Sequence, residues 1–201
     1  MATGEDVLRD LSSLSQTWRE RMGDRPPIAH EFPTEHRDRW VRFHSLPESK
    51  RYASDAAERR TILERHYAVL GELFGGEDVF IMTSTWSTTP EPEPRDRLDL
   101  RINPGSVLWW SFLSEDDSNP DLVVHTHVYV AWTSWSAGSL NRLLSAVAEY
   151  RAGNVVIGDR RLRRLYLPYD GGADVLAVDS AERDVLRDRH SAWLSGHPSG
   201  R

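Results

Sequence analysis

Residues 107–113, Val-Leu-Trp-Trp-Ser-Phe-Leu, set large apolar side chains at consecutive positions of a β-prone run. Successive residues of a strand point to opposite faces. A strand with Trp109 and Trp110 side by side therefore demands cover above and below, which predicts a central strand in a sheet flanked by helices. The chain has material for that cover. Val7, Leu8, Leu11, Leu14 and Trp18 recur at helical spacing, and Pro26-Pro27 ends the helix they define. Asp55 with Glu58 opens a second helix carrying Ile62, Leu63, His66, Val69, Leu70 and Leu73 as far as Gly75-Gly76. Ser139 caps a third, with Leu140, Leu143, Leu144 and Val147, closed at Gly153. A fourth starts at Asp179 or Ser180 and carries Val185, Leu186, His190, Trp193 and Leu194.

Extended runs at 39–44, 78–86, 107–113, 122–132, 155–157, 162–167 and 173–178 interleave with these helices. The stretch from Thr88 to Arg95, with Pro-Glu-Pro-Glu-Pro, reads as a polar loop. Together they predict an α+β fold, with a mainly antiparallel or mixed sheet of about six strands and four helices. No composition shift marks a second domain. Residues 1–25 read as an N-terminal helix, 26–195 as one α+β domain and 196–201 as a frayed tail.

Composition narrows the function classes. The 201 residues include no cysteine, which excludes a disulfide scaffold, thiol chemistry and the usual structural zinc sites. No apolar run reaches the ~20 residues of a membrane helix, and no secretory signal opens the chain, so a cytoplasmic location is expected. A formal net charge of −6 argues against general nucleic-acid binding and fits a basic partner. Lys50 is the only lysine, the other cations being arginine. Eight tryptophans supply large buried areas or anchors at an interface.

Four places can carry chemistry. His125 and His127 share one face of the run 122–132 with Tyr129, where two imidazoles can hold a divalent metal or move protons. His44, Asp116, Asp117 or Asp170 would have to supply a third ligand. The plainer reading is a half-exposed sheet face. The run Arg160-Arg161-Leu162-Arg163-Arg164 reads as strand residues able to clamp a phosphate or an acidic partner, or simply to pair with nearby aspartates. Tyr169-Asp170-Gly171-Gly172-Ala173-Asp174 is turn chemistry in which Asp170 and Asp174 can bind a cation, act as an acid–base pair, or cap the turn. The segment Arg42–Tyr52 leads from a strand into a polar loop, a usual place for a binding surface. P-loop, Gly-x-Ser-x-Gly, Gly-x-Gly-x-x-Gly and His-Glu-x-x-His motifs do not occur.

The segments Arg-Phe-His-Ser-Leu-Pro-Glu-Ser-Lys-Arg-Tyr and Leu-Tyr-Leu-Pro-Tyr-Asp-Gly-Gly-Ala-Asp-Val resemble parts of uncharacterised actinobacterial proteins. The second is also similar to the C-terminal motif of a bacterial domain family of unknown function, with a Tyr-Asp turn and a later aspartate before the last helix. Tyr169, Asp170 and Asp174 are the matching positions. The resemblance implies a bacterial origin and no activity.

Size, charge and aromatic content favour a non-catalytic protein-binding module, of the immunity-protein or inhibitor type, with Glu115, Asp116, Asp117, Trp132 and Trp135 meeting a partner. No cofactor is expected on that reading. The alternatives are a metal-assisted hydrolase organised around His125 and His127, with Asp170 as a further catalytic candidate, and a structural subunit of a larger assembly.

Overall fold

The computed structural model describes residues 4–114 and 123–195. Seven strands make one antiparallel sheet: β1 (Trp40–His44), β2 (Asp78–Ser87), β3 (Val107–Ser114), β4 (Val124–Ser134), β5 (Val156–Asp159), β6 (Leu165–Tyr169) and β7 (Gly172–Leu176). Their order across the sheet is β1-β7-β6-β5-β2-β4-β3. The helices are α1 (Gly4–Met22), α2 (Phe32–Glu35), α3 (Ala56–Phe74), α4 (Arg97–Ile102), α5 (Asn141–Ala148) and α6 (Ser180–Arg189). Four of these have seven residues or more, so the fold is α+β, with seven strands where about six were expected.

The period-two alternation of the strands feeds two cores. Val79 and Ile81 of β2, with Val41, Phe43, Ile157, Tyr166 and Val175, pack beneath α3, α4, α5 and α6. Phe80 and Met82, with Val128, Val130, Leu165, Leu167 and Leu176, face α1 and α2 through Leu14, Trp18, Met22 and Phe32. The sheet is thus sandwiched, and most of its apolar area is removed from water on both sides.

β3 departs from expectation: it lies at the edge of the sheet, paired only with β4 among the described residues. The pairing slips between Leu108 and Trp110, so Trp109 is the extra residue of a bulge. The bulge lets two consecutive tryptophans turn toward the same core. Trp109 meets Trp18 edge-on at 5.4 Å and donates its indole N–H to Ser15 Oγ at 2.8 Å, while Trp110 packs edge-on against Trp109 at 5.5 Å. Consecutive apolar residues therefore do not mean two covered faces here. The other side of β3 leaves Leu108, Ser111 and Leu113 exposed.

One helix is new and two local expectations change. α4 lies in a stretch to which no element was assigned: Asp96 accepts from the Asp99 amide and Asp99 accepts from the Asp96 amide, a reciprocal cap that starts a short helix. α5 has Leu140 at its N-cap with no side-chain bond, because the Ser139 hydroxyl donates to the Ser136 carbonyl instead, and it ends at Ala148 rather than near Gly153. The arginine run 160–164 is a turn, not a strand. The Asp159 carboxylate collects the amides of Arg161, Arg163 and Arg164, and Leu162 takes a positive φ of 52° to bury its side chain.

β7 begins at a contact that only glycine allows, since a Cβ on Gly172 would lie 2.0 Å from the Phe43 carbonyl oxygen. In the core between α3 and β6, His66 Nδ1 lies 2.5 Å from the Tyr166 hydroxyl. Burial pushes the imidazole down to about 4 and the phenol well above its usual value, so both are neutral near pH 7. Donation from the phenol to Nδ1 leaves only the Nε2 position without a partner. The folded chain refuses the proton that an unfolded histidine takes near pH 6.5, so stability falls as pH drops from about 6.5 toward 4. His66 should account for about 3 kcal/mol of that loss. Denaturant titrations of wild type and His66→Gln across this window should show a flatter profile in the variant; parallel profiles would remove His66 as the cause.

Candidate functional site

β4 points His125, His127 and Tyr129 toward the α3 side and Thr126, Val128 and Val130 toward α1. His127 sits opposite Thr85 of β2 and Ser111 of β3 and is fully buried. Its Nε2 lies 2.8 Å from Ser87 Oγ and its Nδ1 lies 2.8 Å from Ser111 Oγ. Ser87 donates its one hydroxyl proton to the Thr89 carbonyl at 2.7 Å, so its oxygen is left to accept from Nε2–H. Nδ1 then accepts from the Ser111 hydroxyl. Burial first, and the neighbouring His125 second, lower the affinity of His127 for a proton. The result is a neutral imidazole of defined tautomer between a buried and an exposed serine.

His125 shares that face, in register with Ser87 and Leu113. The proposed ligands among the described residues, His44 and Asp170, are not brought to it. His44 stands on β1, five strands away, on the order of 24 Å across the sheet. Asp116 and Asp117 lie outside the described residues, as does Glu115. Among the described residues no group of three or more His, Cys, Asp or Glu side chains gathers as a cation site.

Asp170 and Asp174 form a second polar centre, at the β6–β7 turn and the β1 edge. Both carboxylates are buried. Asp174 receives Arg42 in a two-pronged pair, Nε to Oδ1 at 2.8 Å and Nη2 to Oδ2 at 2.7 Å, and accepts the Trp40 indole N–H at 2.8 Å. Asp170 accepts from the Tyr52 hydroxyl at 2.6 Å and from Arg51 Nη2 at 2.9 Å. Arg42 also lies over the Tyr169 ring, 5.1 Å from its centroid, and burial pushes that phenol up to about 12. The acids are thus satisfied by cations and donors from β1 and from the loop after it, and they bind that loop to the turn. The basic run is paired in the same manner, Arg160 with Asp10, Arg163 with Asp159 and Arg164 with Glu182.

The two aromatic anchors named from the sequence are both partly buried. Trp132 is partly buried against the α1-side core, and Trp135 is partly buried beside Tyr67 of α3. Of the eight tryptophans only Trp86, near the end of β2, is half exposed, at 50%. It lines a groove with Ile28, Glu31, Phe112, Ser114 and Asn154, between the segment before α2 and the ends of β2, β3 and β4. Asn154 ties one wall of the groove to the sheet: its side chain accepts from the Ala29 amide and donates to the Pro27 carbonyl and Ser84 Oγ. The sequence signal for Trp86 was its position where β2 runs into the Pro-rich loop, where cover ends.

With this geometry in view, the comparisons place the chain. A family model described as a domain of unknown function (DUF3885) matches residues 28–198, and the chain belongs to that family. The match includes all seven strands and the Tyr169–Asp174 turn and leaves out α1. No curated protein and no solved structure matches the chain.

Asp174→Ala would leave Arg42 in its partly buried place without a counter-ion, at a cost of about 3 kcal/mol. Urea unfolding followed by tryptophan fluorescence should show a lower midpoint with an unchanged slope. A midpoint like that of wild type would mean that the pair contributes nothing to the attachment of β1.

Proposed function

We propose that this chain is a protein-binding module of the immunity-protein or inhibitor type, acting in an actinobacterial cytoplasm on a basic protein. The observation that carries this reading is the half-exposed Trp86 in its groove. A tryptophan exposed at the mouth of a groove presents a large, rigid apolar surface at small entropic cost, the kind of residue that dominates binding energy when a partner covers it. Glu31 lines the same groove, and Glu115, Asp116 and Asp117 follow β3 in the chain. With a net charge of −6 they favour a cationic partner and speed its approach. No helix among the described residues is long and apolar enough to cross a membrane. The field of an acidic chain disfavours general contact with nucleic acid.

A photo-crosslinking residue placed at Trp86 in native cells tests the reading, with the exposed Val185 of α6 as the control position. The expected outcome is one discrete protein adduct from position 86 and none from 185, weakened by Glu31→Lys. An adducted enzyme or toxin that loses activity when bound makes the chain an inhibitor, and an adducted structural protein makes it an assembly subunit. Identical adducts from both positions, or none, would overturn the groove as a binding site.

A further inference from the structure

We infer that Ser111 is a nucleophilic serine with His127 as its general base, in a site that takes an ester of an apolar acyl group. This goes beyond protein binding, because it gives the chain a covalent chemistry of its own, on the opposite face of the sheet from Trp86. The arrangement has the three parts such chemistry needs. Ser111 is exposed, so its hydroxyl can meet a substrate. His127 Nδ1 stands 2.8 Å from that hydroxyl and, in the tautomer set by Ser87, offers it a lone pair. The third part is Ser87, whose oxygen accepts Nε2–H while its proton is committed to the Thr89 carbonyl, so the imidazole cannot turn and a positive charge on it is shared outward. Ser87 is a positioning residue, acting only through His127.

The edge position of β3 makes the site reachable. Leu108 and Leu113 pair with Tyr129 and His125, which share the face of His127, so they flank Ser111 on its own side of the sheet. They are 42% and 51% exposed, an apolar surface beside a hydroxyl, which suits an acyl chain rather than a charged group. In the reaction the Ser111 oxygen attacks the carbonyl carbon as its proton passes to His127 Nδ1. The bond from that carbon to the alcohol oxygen then breaks and the alcohol departs with the proton. Water repeats the exchange, giving its proton to Nδ1 and its oxygen to the acyl group, and the serine is regenerated with release of a carboxylic acid.

An alkyl fluorophosphonate tests this on the full chain, because the serine oxygen attacks its phosphorus as it would the acyl carbon, fluoride leaves, and the adduct persists. Intact mass with fragment mapping should find one adduct, on Ser111, absent in Ser111→Ala. His127→Gln should slow labelling at least about a hundredfold, the lower end of what a positioned base contributes. Since His127 is buried, a second pair of variants separates chemistry from folding. Ser87→Ala should label slowly while still unfolding in one cooperative transition, at a lower midpoint because the buried His127 Nε2–H loses its acceptor, and Ser87→Thr, which restores a hydroxyl, should recover the rate. An unlabelled Ser111, an adduct elsewhere, or a rate indifferent to both His127→Gln and Ser87→Ala would overturn the assignment and leave a hydrogen bond that merely braces β3 to β4.

Discussion

A sheet with two apolar faces must be covered twice, and everything else in this molecule is arranged around that demand. One face has ample cover from α3, α4, α5 and α6. The other depends on α1, through Leu14, Trp18 and Met22, and on Phe32 of α2. Trp18 is the joint: it is nearly fully buried, meets Phe32 and Trp109 edge-on, and donates its indole N–H to the Arg25 carbonyl. Yet α1 lies before residue 28, where the family match begins. Relatives with a different N-terminal segment must bury the same sheet face in another way, or carry fewer large apolar residues there.

The two aspartate clusters solve a different problem, that of finishing the sheet. The β1 strand is five residues long and reaches β7 across the chain from residue 44 to 172. Backbone pairing over so short a length gives little on its own. The Asp174–Arg42–Trp40 and Asp170–Arg51–Tyr52 contacts add charged hydrogen bonds to buried carboxylates, which hold the strand and the loop after it. These aspartates were singled out because acids beside glycines attract chemical explanations. Their partners lie more than 110 residues earlier in the chain, and no local pattern reveals them.

Local signals served best where the physics is local. The caps at Asp55 and Asp179, each accepting from an amide three residues on, mark helix starts that the sequence places at those residues. The alternation in β4 correctly put His125 and His127 on one face. It could not show that the strand beside them would supply serines rather than carboxylates, because register between β2, β4 and β3 is decided by packing across the sheet. Likewise Trp109-Trp110 implied burial, correctly, and a central strand, wrongly, since an extra residue can rotate one side chain to the other's face. Exposure of Trp86 depends on where neighbouring loops end, which a one-dimensional pattern does not contain.

The bulge at Trp109 has a consequence for how the molecule behaves in a crowded solution. An edge strand eight residues long, with Leu108 and Leu113 facing water, is a template on which another copy's strand could add indefinitely. The extra residue breaks the regular spacing of outward amides and carbonyls midway along that edge, and the opposite edge, β1, is too short to complete the pairing. The device that seats two tryptophans in the core therefore also guards against open-ended growth of the sheet, keeping a chain with a sticky border from becoming a fibre.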